Sequence, residues 1–187
     1  MSEVWSTASI HMQDKKDYDV IVFLCQELIA SSVEYCDAQN NYIELSEGAA
    51  GKDTFAKLAK IFDKSLRKMA EQYEDAESRE WLETLCFKIT ATSEYIDDGE
   101  QCDYVIERGN RQLTMRETDN YVYCQQDDDS ATYEDFCAMF SDYFDPETDE
   151  FVSEEDFDPT AEFYITNGKV YVDEKPPFYH VHSLYEE

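Results

Sequence analysis

The longest stretch of this chain without a basic residue lies between Arg116 and Lys169. Carboxylates accumulate along it, and aromatic residues are interleaved with them. Because neighbouring like charges repel one another, such a stretch folds only if its apolar residues bury a shared core. We therefore expect a folded acidic surface rather than a disordered tail, and we refer to residues 117–168 as the acidic segment.

The same imbalance extends over the whole chain, which has 44 Asp and Glu against 15 Lys and Arg in 187 residues, a formal net charge of -29. Solubility alone needs a net charge of only about 2 to 8. Direct binding to DNA, RNA or an anionic membrane is disfavoured, because those polyanions attract Lys and Arg and repel carboxylates. Composition therefore favours a basic protein partner, and solvation of the folded chain is the alternative.

Cysteine usage and the N-terminus indicate the compartment. The six cysteines are widely spaced without a C-x-x-C pair, which is typical of free thiols in a reducing cytosol. Residues 1–12 lack the basic and apolar regions of a signal peptide, and the apolar run at 20–30 is short. We expect a cytoplasmic protein that needs no cofactor or metal, acting in the host cytoplasm if a phage or mobile element encodes it.

Helical periodicity dominates the first half of the chain. It predicts a largely buried helix over residues 17–36, a second helix starting near the N-cap candidate Asp53, and a third from about 75 to 89. The predicted core face of the second helix contains Phe55, Leu58, Phe62, Leu66, Met69 and Tyr73. Its opposite face carries what we call the basic stripe, namely Lys57, Lys60, Lys64, Arg67 and Lys68.

The second half favours strands. After a short strand at 42–45, the β-prone runs are 104–106, 113–115, 121–123, 163–165 and 170–172. The first three of these five predict a meander, and the last two predict a hairpin through Asn167 and Gly168. Between them, Ser130 is expected to cap a helix that carries Phe136, Cys137, Phe140 and Phe144. The prediction is one α+β domain over 1–187, with N-terminal helices packed on an antiparallel sheet.

Residues that could support catalysis are few. Lys52 follows Gly51 as in a phosphate loop, but Asp53 replaces the hydroxyl that would bind magnesium. His180 and His182 alternate, so on a strand they would face one way and could share a metal, although two ligands alone make a weak site. No nucleophile elbow or Cys/His signature is present. We therefore expect a protein that is not an enzyme.

Residues 144–157 resemble an EF-hand calcium loop. Positions 1, 3, 5, 9 and 12 of that loop correspond to Asp145, Glu147, Asp149, Ser153 and Asp156. The sequence departs from the family at Glu150, where the loop normally has Gly, and at Asp156, which replaces a bidentate Glu. The resemblance implies a degenerate calcium loop, and the alternative is an acidic turn without a bound ion.

The acidic segment is the predicted binding surface for a partner. Its candidate residues are Asp127, Asp128, Asp129, Glu134, Asp135, Asp142, Asp145, Glu147, Asp149, Glu150, Glu154, Glu155, Asp156 and Asp158. A net charge of -29 equals the charge on roughly 50 Å of duplex DNA. In charge and size the chain is similar to DNA-mimic inhibitors such as phage anti-restriction and anti-CRISPR proteins.

That similarity implies a non-enzymatic inhibitor that occupies the basic groove of a nucleic-acid-binding or nucleic-acid-processing protein. An immunity protein against a basic nuclease toxin is an alternative, and it would present a smaller acidic patch. Calcium binding through the EF-hand-like loop is a further alternative. The sequence gives no signal for an oligomeric state.

Overall fold

A computed structural model of the protein describes residues 4–95, 99–125, 130–143, 145 and 152–185. The helices within these residues are α1 (Lys15–Ile29), α2 (Lys52–Glu71), α3 (Ala76–Thr84) and α4 (Tyr133–Phe140). Short 3-10 helices lie at Ala30–Ser32 and Glu154–Asp156. The strands are β1 (Val4–His11), β2 (Val33–Asp37), β3 (Tyr42–Gly48), β4 (Phe87–Tyr95), β5 (Glu100–Gly109), β6 (Gln112–Glu117), β7 (Tyr121–Gln125), β8 (Glu162–Thr166), β9 (Lys169–Val172) and β10 (His180–Ser183).

These ten strands form one antiparallel sheet among the described residues. Its main order is β2-β3-β1-β4-β5-β7-β8-β9, and β6 pairs with both β5 and β10. The predicted α+β class is therefore confirmed. The predicted hairpin is confirmed as well, because β8 and β9 pair around Asn167 and Gly168, which both have positive φ as a tight two-residue turn requires.

The predicted meander differs in one pairing. β5 is long enough for β6 to pair with residues 104–109 while β7 pairs with Glu100 and Gln101 on the same edge. β7 then continues the sheet into β8. The three strands are therefore not a simple meander, because β5 is longer than its apolar run at 104–106 indicates.

The larger hydrophobic core lies between this sheet and helices α1, α2 and α3. Ile10, Ile89 and Ile106 are fully buried and stand side by side across β1, β4 and β5. Phe62 and Leu66 from α2 are also fully buried in this core. Residues alternate between buried and accessible along β1 and β4, so only one face of this part of the sheet is covered.

A buried ion pair joins the helices to the sheet. Arg108 of β5 is 1% exposed, and its Nε lies 2.8 Å from Oδ1 of Asp63 on α2. Its Nη1 donates to the backbone carbonyl oxygens of Leu82 and Leu85 near the end of α3. The guanidinium thus connects three elements with charge-assisted hydrogen bonds.

The first and third helices are shorter than predicted. α1 ends at Ile29, and the β-branched Val33 begins strand β2 instead of a last helical turn. On α1, Phe23 and Leu28 remain about half exposed, so the helix is amphipathic rather than largely buried. α3 ends at Thr84, because the inward residues Phe87, Ile89 and Ala91 of β4 alternate with period two.

The second helix matches its prediction more closely. It begins at Lys52 with Gly51 as its N-cap, so Asp53 lies in the first turn and is not the cap. Of the predicted core face, Phe55, Phe62 and Leu66 are buried, and Leu58 and Met69 are partly buried. Tyr73 is exposed and lies beyond the helix end. Among the described residues, none of the helices is both long and apolar enough to cross a membrane.

Candidate partner-binding surface

A second hydrophobic cluster lies beneath the acidic segment. Phe136 of α4 is fully buried, and its ring centroid is 4.4 Å from that of Phe163 on β8. The rings of Phe140 and Phe157 are 5.0 and 5.2 Å from Phe136. Packed aromatic rings of this kind hold their backbone in place. The described part of the acidic segment is therefore carried on an ordered frame.

All the predicted binding residues that the structure describes are exposed. They are Glu134, Asp135, Asp142, Asp145, Glu154, Glu155, Asp156 and Asp158. The predicted residues Asp127, Asp128, Asp129, Glu147, Asp149 and Glu150 lie outside the described residues. The described carboxylates come from α4, from the 3-10 helix Glu154–Asp156, and from the chain following each of them.

Three of these carboxylates also stabilise local structure. Asp135 accepts a hydrogen bond from the backbone N–H of Thr132 and so completes a capping box at the start of α4. Thr132 is therefore the N-cap, and the prediction of Ser130 was wrong by two residues. Asp156 accepts a 2.9 Å hydrogen bond from the hydroxyl of Ser153. These contacts fix where the acidic groups point.

Asp158 is fixed in the same way. Its Oδ1 accepts hydrogen bonds from both the hydroxyl and the backbone N–H of Thr160, and these bonds lower its pKa below the ordinary value. The bonds from Thr160 therefore hold this carboxylate in one orientation and favour its ionised form. Glu134, Asp142, Glu154 and Glu155 form no ion pair with a described Lys, Arg or His, so their charges face solvent.

The EF-hand-like loop remains a prediction. Its positions 3 and 5, Glu147 and Asp149, fall outside the described residues. Among the described residues, no group of three or more His, Cys, Asp or Glu is arranged to hold a metal ion. The carbonyl oxygen of Val152 accepts a 2.8 Å hydrogen bond from the hydroxyl of Tyr133, which links this loop to α4.

The two histidines of β10 bind different carboxylates. His180 Nε2 lies 2.5 Å from Oδ1 of Asp119, and His182 Nε2 lies 3.3 Å from Oε1 of Glu117. The sequence-based possibility that they share a metal with nearby carboxylates finds no support in this arrangement. Instead, each histidine joins the edge strand β10 to the end of β6 or the turn that follows it.

Glu117 also binds the lysine of the phosphate-loop-like sequence. Lys52 Nζ lies 3.0 Å from Oε2 of Glu117, and this hydrogen bond raises the pKa of Lys52. Burial acts to raise the pKa of Glu117, but its bonds to Lys52 and His182 outweigh burial and the pKa is lowered. The ammonium group of Lys52 is thus engaged with a carboxylate of the protein itself.

The basic stripe lies on the exposed side of α2, as its spacing predicts. Lys57, Lys60, Lys64 and Lys68 are exposed, and no ion pair joins them to a described carboxylate. Arg67 differs, because its Nε lies 3.1 Å from Oδ2 of Asp63. The stripe therefore remains a solvated helix face with one ion pair at its edge.

Similarity to known proteins offers no further guidance. No protein-family model, curated protein or solved structure matches this chain. Only Asp17, Asp63 and Asp103 among the described acidic residues are buried, so nearly all the described carboxylates are at the surface.

A second surface feature, a cleft outside the acidic segment, was not predicted from the sequence. A cleft on the uncovered face of the sheet is lined by Ser9, Glu44, Thr92, Asp103 and Lys175. These residues come from β1, β3, β4, β5 and the segment before β10, so their spacing along the chain reveals nothing of their proximity. Only the polar half of the period-two pattern in β1 and β4 indicates that this face is uncovered.

Proposed function

We propose that the protein is an acidic inhibitor whose acidic segment binds the basic groove of a nucleic-acid-binding or nucleic-acid-processing protein. One observation carries this proposal: exposed carboxylates without a described ion pair lie on segments that pack through a buried aromatic cluster. A fixed array of negative charge can match the phosphate spacing that such a groove recognises, whereas a disordered tail cannot hold a spacing.

The physical consequence is competition with nucleic acid. Carboxylates of the acidic segment pair with the Lys and Arg side chains that otherwise bind phosphates, and long-range attraction accelerates the encounter. Exposed aromatic and apolar side chains beside these carboxylates, Met139 and Tyr143 of α4 and the turn after it, supply area that loses water on contact. Inhibition by this route needs no chemical step on the partner.

The test compares two variants of equal net charge. The acidic-face variant replaces four free carboxylates of the acidic segment, namely Glu134→Gln, Asp142→Asn, Glu154→Gln and Glu155→Gln. The matched control removes four exposed carboxylates from α1, α2 and the region around the start of α3, namely Glu27→Gln, Glu71→Gln, Glu74→Gln and Glu77→Gln. Because both variants lose four negative charges, any difference in partner capture between them depends on which surface lost its carboxylates and not on the total charge.

Each variant and the unaltered protein are used as bait in a cell lysate at low and high salt, with duplex DNA as competitor. We expect nucleic-acid-binding proteins to be captured at low salt by the protein and by the control, and released by duplex DNA. The acidic-face variant should capture much less of them. Capture that is equal for both variants, or that ignores salt and DNA, contradicts the proposal. Capture of one nuclease that stays bound at high salt favours the alternative that the protein is an immunity protein against a nuclease toxin.

A further inference from the structure

The uncovered face of the sheet contains a cleft that is lined by no residue of the acidic segment. The cleft has a volume of about 520 Å³, within the usual range of ligand sites. Its floor is made by side chains of β1 and β4 that carry hydroxyl groups, and the floor residues are Thr7, Ser9, Thr90 and Thr92. Ser9 and Thr90 are joined across the two strands by a 3.0 Å hydrogen bond.

The two walls of the cleft differ in chemistry. On the β3 side stand Tyr42, Glu44 and Glu47, and the hydroxyl of Tyr42 donates a 2.9 Å hydrogen bond to Glu44 Oε2. On the β5 side the wall is formed by Lys175 and Phe178, which belong to the irregular segment between β9 and β10. We call residues 173–179 the strap, and its Pro176 is buried.

One end of the cleft already holds a cation. Asp103 is buried, and its Oδ1 accepts hydrogen bonds from Thr92 at 2.6 Å and from the hydroxyl of Tyr121 at 2.9 Å. Its Oδ2 lies 3.0 Å from Nζ of Lys175, whose side chain is 54% exposed. A buried, hydrogen-bonded carboxylate is therefore neutralised from the cleft side by a lysine on a segment without regular secondary structure.

The charged side chains that line the cleft have an excess of carboxylates, because Glu44, Glu47 and Asp103 stand against Lys175 alone. Lys175 balances Asp103, but no ion pair within the described residues balances Glu44 or Glu47. Hydroxyl groups on the floor can accept hydrogen bonds from N–H donors. A guanidinium group suits these features, because it combines a positive charge with five N–H donors.

We infer that this cleft binds an arginine or lysine side chain of a basic polypeptide, and that Lys175 occupies the Asp103 end of the cleft until that side chain replaces it. The site is separate from the acidic segment, and the inference depends on the proposed function only for the source of the cation, a basic partner. Because Lys175 competes for Asp103, removing it should increase the fraction of protein that is ready to bind.

The probe is a short peptide, acetyl-Gly-Arg-Gly-Arg-Gly-amide, with citrulline in place of arginine as the uncharged control. Binding is followed by NMR titration of the isotope-labelled protein. Backbone amides of Thr7, Ser9 and Thr92 should shift with the arginine peptide and not with the citrulline peptide. Equal binding of the two peptides, or shifts confined to α4 and Glu154–Asp156, overturns the inference.

Variants test the two ends of the cleft separately. Lys175→Met should tighten the apparent dissociation constant about fivefold, because the internal competitor is gone. Glu44→Gln with Glu47→Gln should weaken it about fivefold, whereas the matched pair Glu71→Gln with Glu74→Gln should leave it unchanged. If Lys175→Met binds no better than the unaltered protein, Lys175 is not a competitor. The double Glu variant decides the matter independently if Lys175→Met does not fold.

The same titration separates this inference from the proposed function. The acidic-face variant should bind the peptide at the cleft as the unaltered protein does, because its substitutions lie outside the cleft. Peptide binding at the cleft together with a failed partner capture would reject the proposed function and keep the cleft. The reverse combination would reject the cleft and keep the proposed function.

Discussion

At the scale of single residues, Asp63 is the group on which the packing of α2 against β5 depends most. Its carboxylate is 8% exposed and faces the fully buried guanidinium of Arg108. Removing one partner of a buried ion pair leaves the other charge without compensation. Asp63→Asn should therefore lower the free energy of unfolding by about 3 kcal/mol, measured by urea denaturation. Glu71→Gln on the same helix is exposed and should change it little.

The same pair predicts a pH dependence. Burial acts to raise the pKa of Asp63, but hydrogen bonds from Arg108 and Tyr185 and the charges of Arg108 and Arg67 outweigh it, so the pKa is lowered. The pKa of Asp63 is thus lower in the folded protein than in the unfolded chain. The contribution of Asp63 to the free energy of unfolding is therefore complete above the unfolded pKa of about 4, and it declines as the pH falls below that value. The stability difference between the unaltered protein and Asp63→Asn should shrink in acid. A difference that grows there contradicts this assignment.

At the scale of elements, α4 depends on its cap because it has only 8 residues. The hydroxyl of Thr132 accepts the backbone N–H of Asp135 at 3.2 Å. Thr132→Ala should lower the free energy of unfolding by about 1 kcal/mol, a usual value for loss of an N-cap. Thr132→Ser retains the hydroxyl and should behave as the unaltered protein does. Equal losses in both variants would show that the side chain acts through packing and not as a cap.

Local sequence signals predicted some elements well. The dipeptide of Asn167 and Gly168 predicts its hairpin because both positions must adopt positive φ, and the structure has φ of 50° and 73° there. Phe136 and Phe140 predict the buried face of α4 because they lie one turn apart. In these cases the interaction that decides the structure lies within a few residues, where the sequence displays it directly.

Other elements were missed because distant contacts decide them. Leu85 and Ile89 match a helical spacing after Leu82, yet the chain leaves the helix because Ile89 pairs between Ile10 and Ile106 in the sheet. The cleft was missed for the same reason. Its residues are brought together by pairing of β1 with β3 and β4, and by Lys175 from the strap, so no local pattern contains them.

At the scale of the whole molecule, the net charge of -29 opposes folding through self-repulsion. Salt at about 0.1 M largely screens the repulsion between exposed charges that are more than about 10 Å apart. The urea midpoint of the protein should therefore rise as sodium chloride is increased from low to moderate concentration. A midpoint that falls over this range would mean that attractive ion pairs, and not repulsion, dominate the surface electrostatics.

The charge is also distributed unevenly along the chain. Basic side chains are concentrated on α2 and are absent from residues 117–168, so the molecule is electrostatically asymmetric. If the protein acts as we propose, such a field would orient the molecule during encounter so that the acidic segment meets the basic groove. If the carboxylates serve only to solvate the folded chain, this asymmetry has no role. Removing carboxylates from any exposed region would then have the same effect on partner binding.

We propose that the acidic segment and nucleic acid compete for one groove of the partner. The most direct measurement follows the fluorescence anisotropy of a labelled duplex bound to the captured partner while the protein is added. We expect the protein and its matched control to displace the duplex, and the acidic-face variant to do so about tenfold less effectively. A ternary complex of partner, duplex and protein, or equal displacement by both variants, would contradict it.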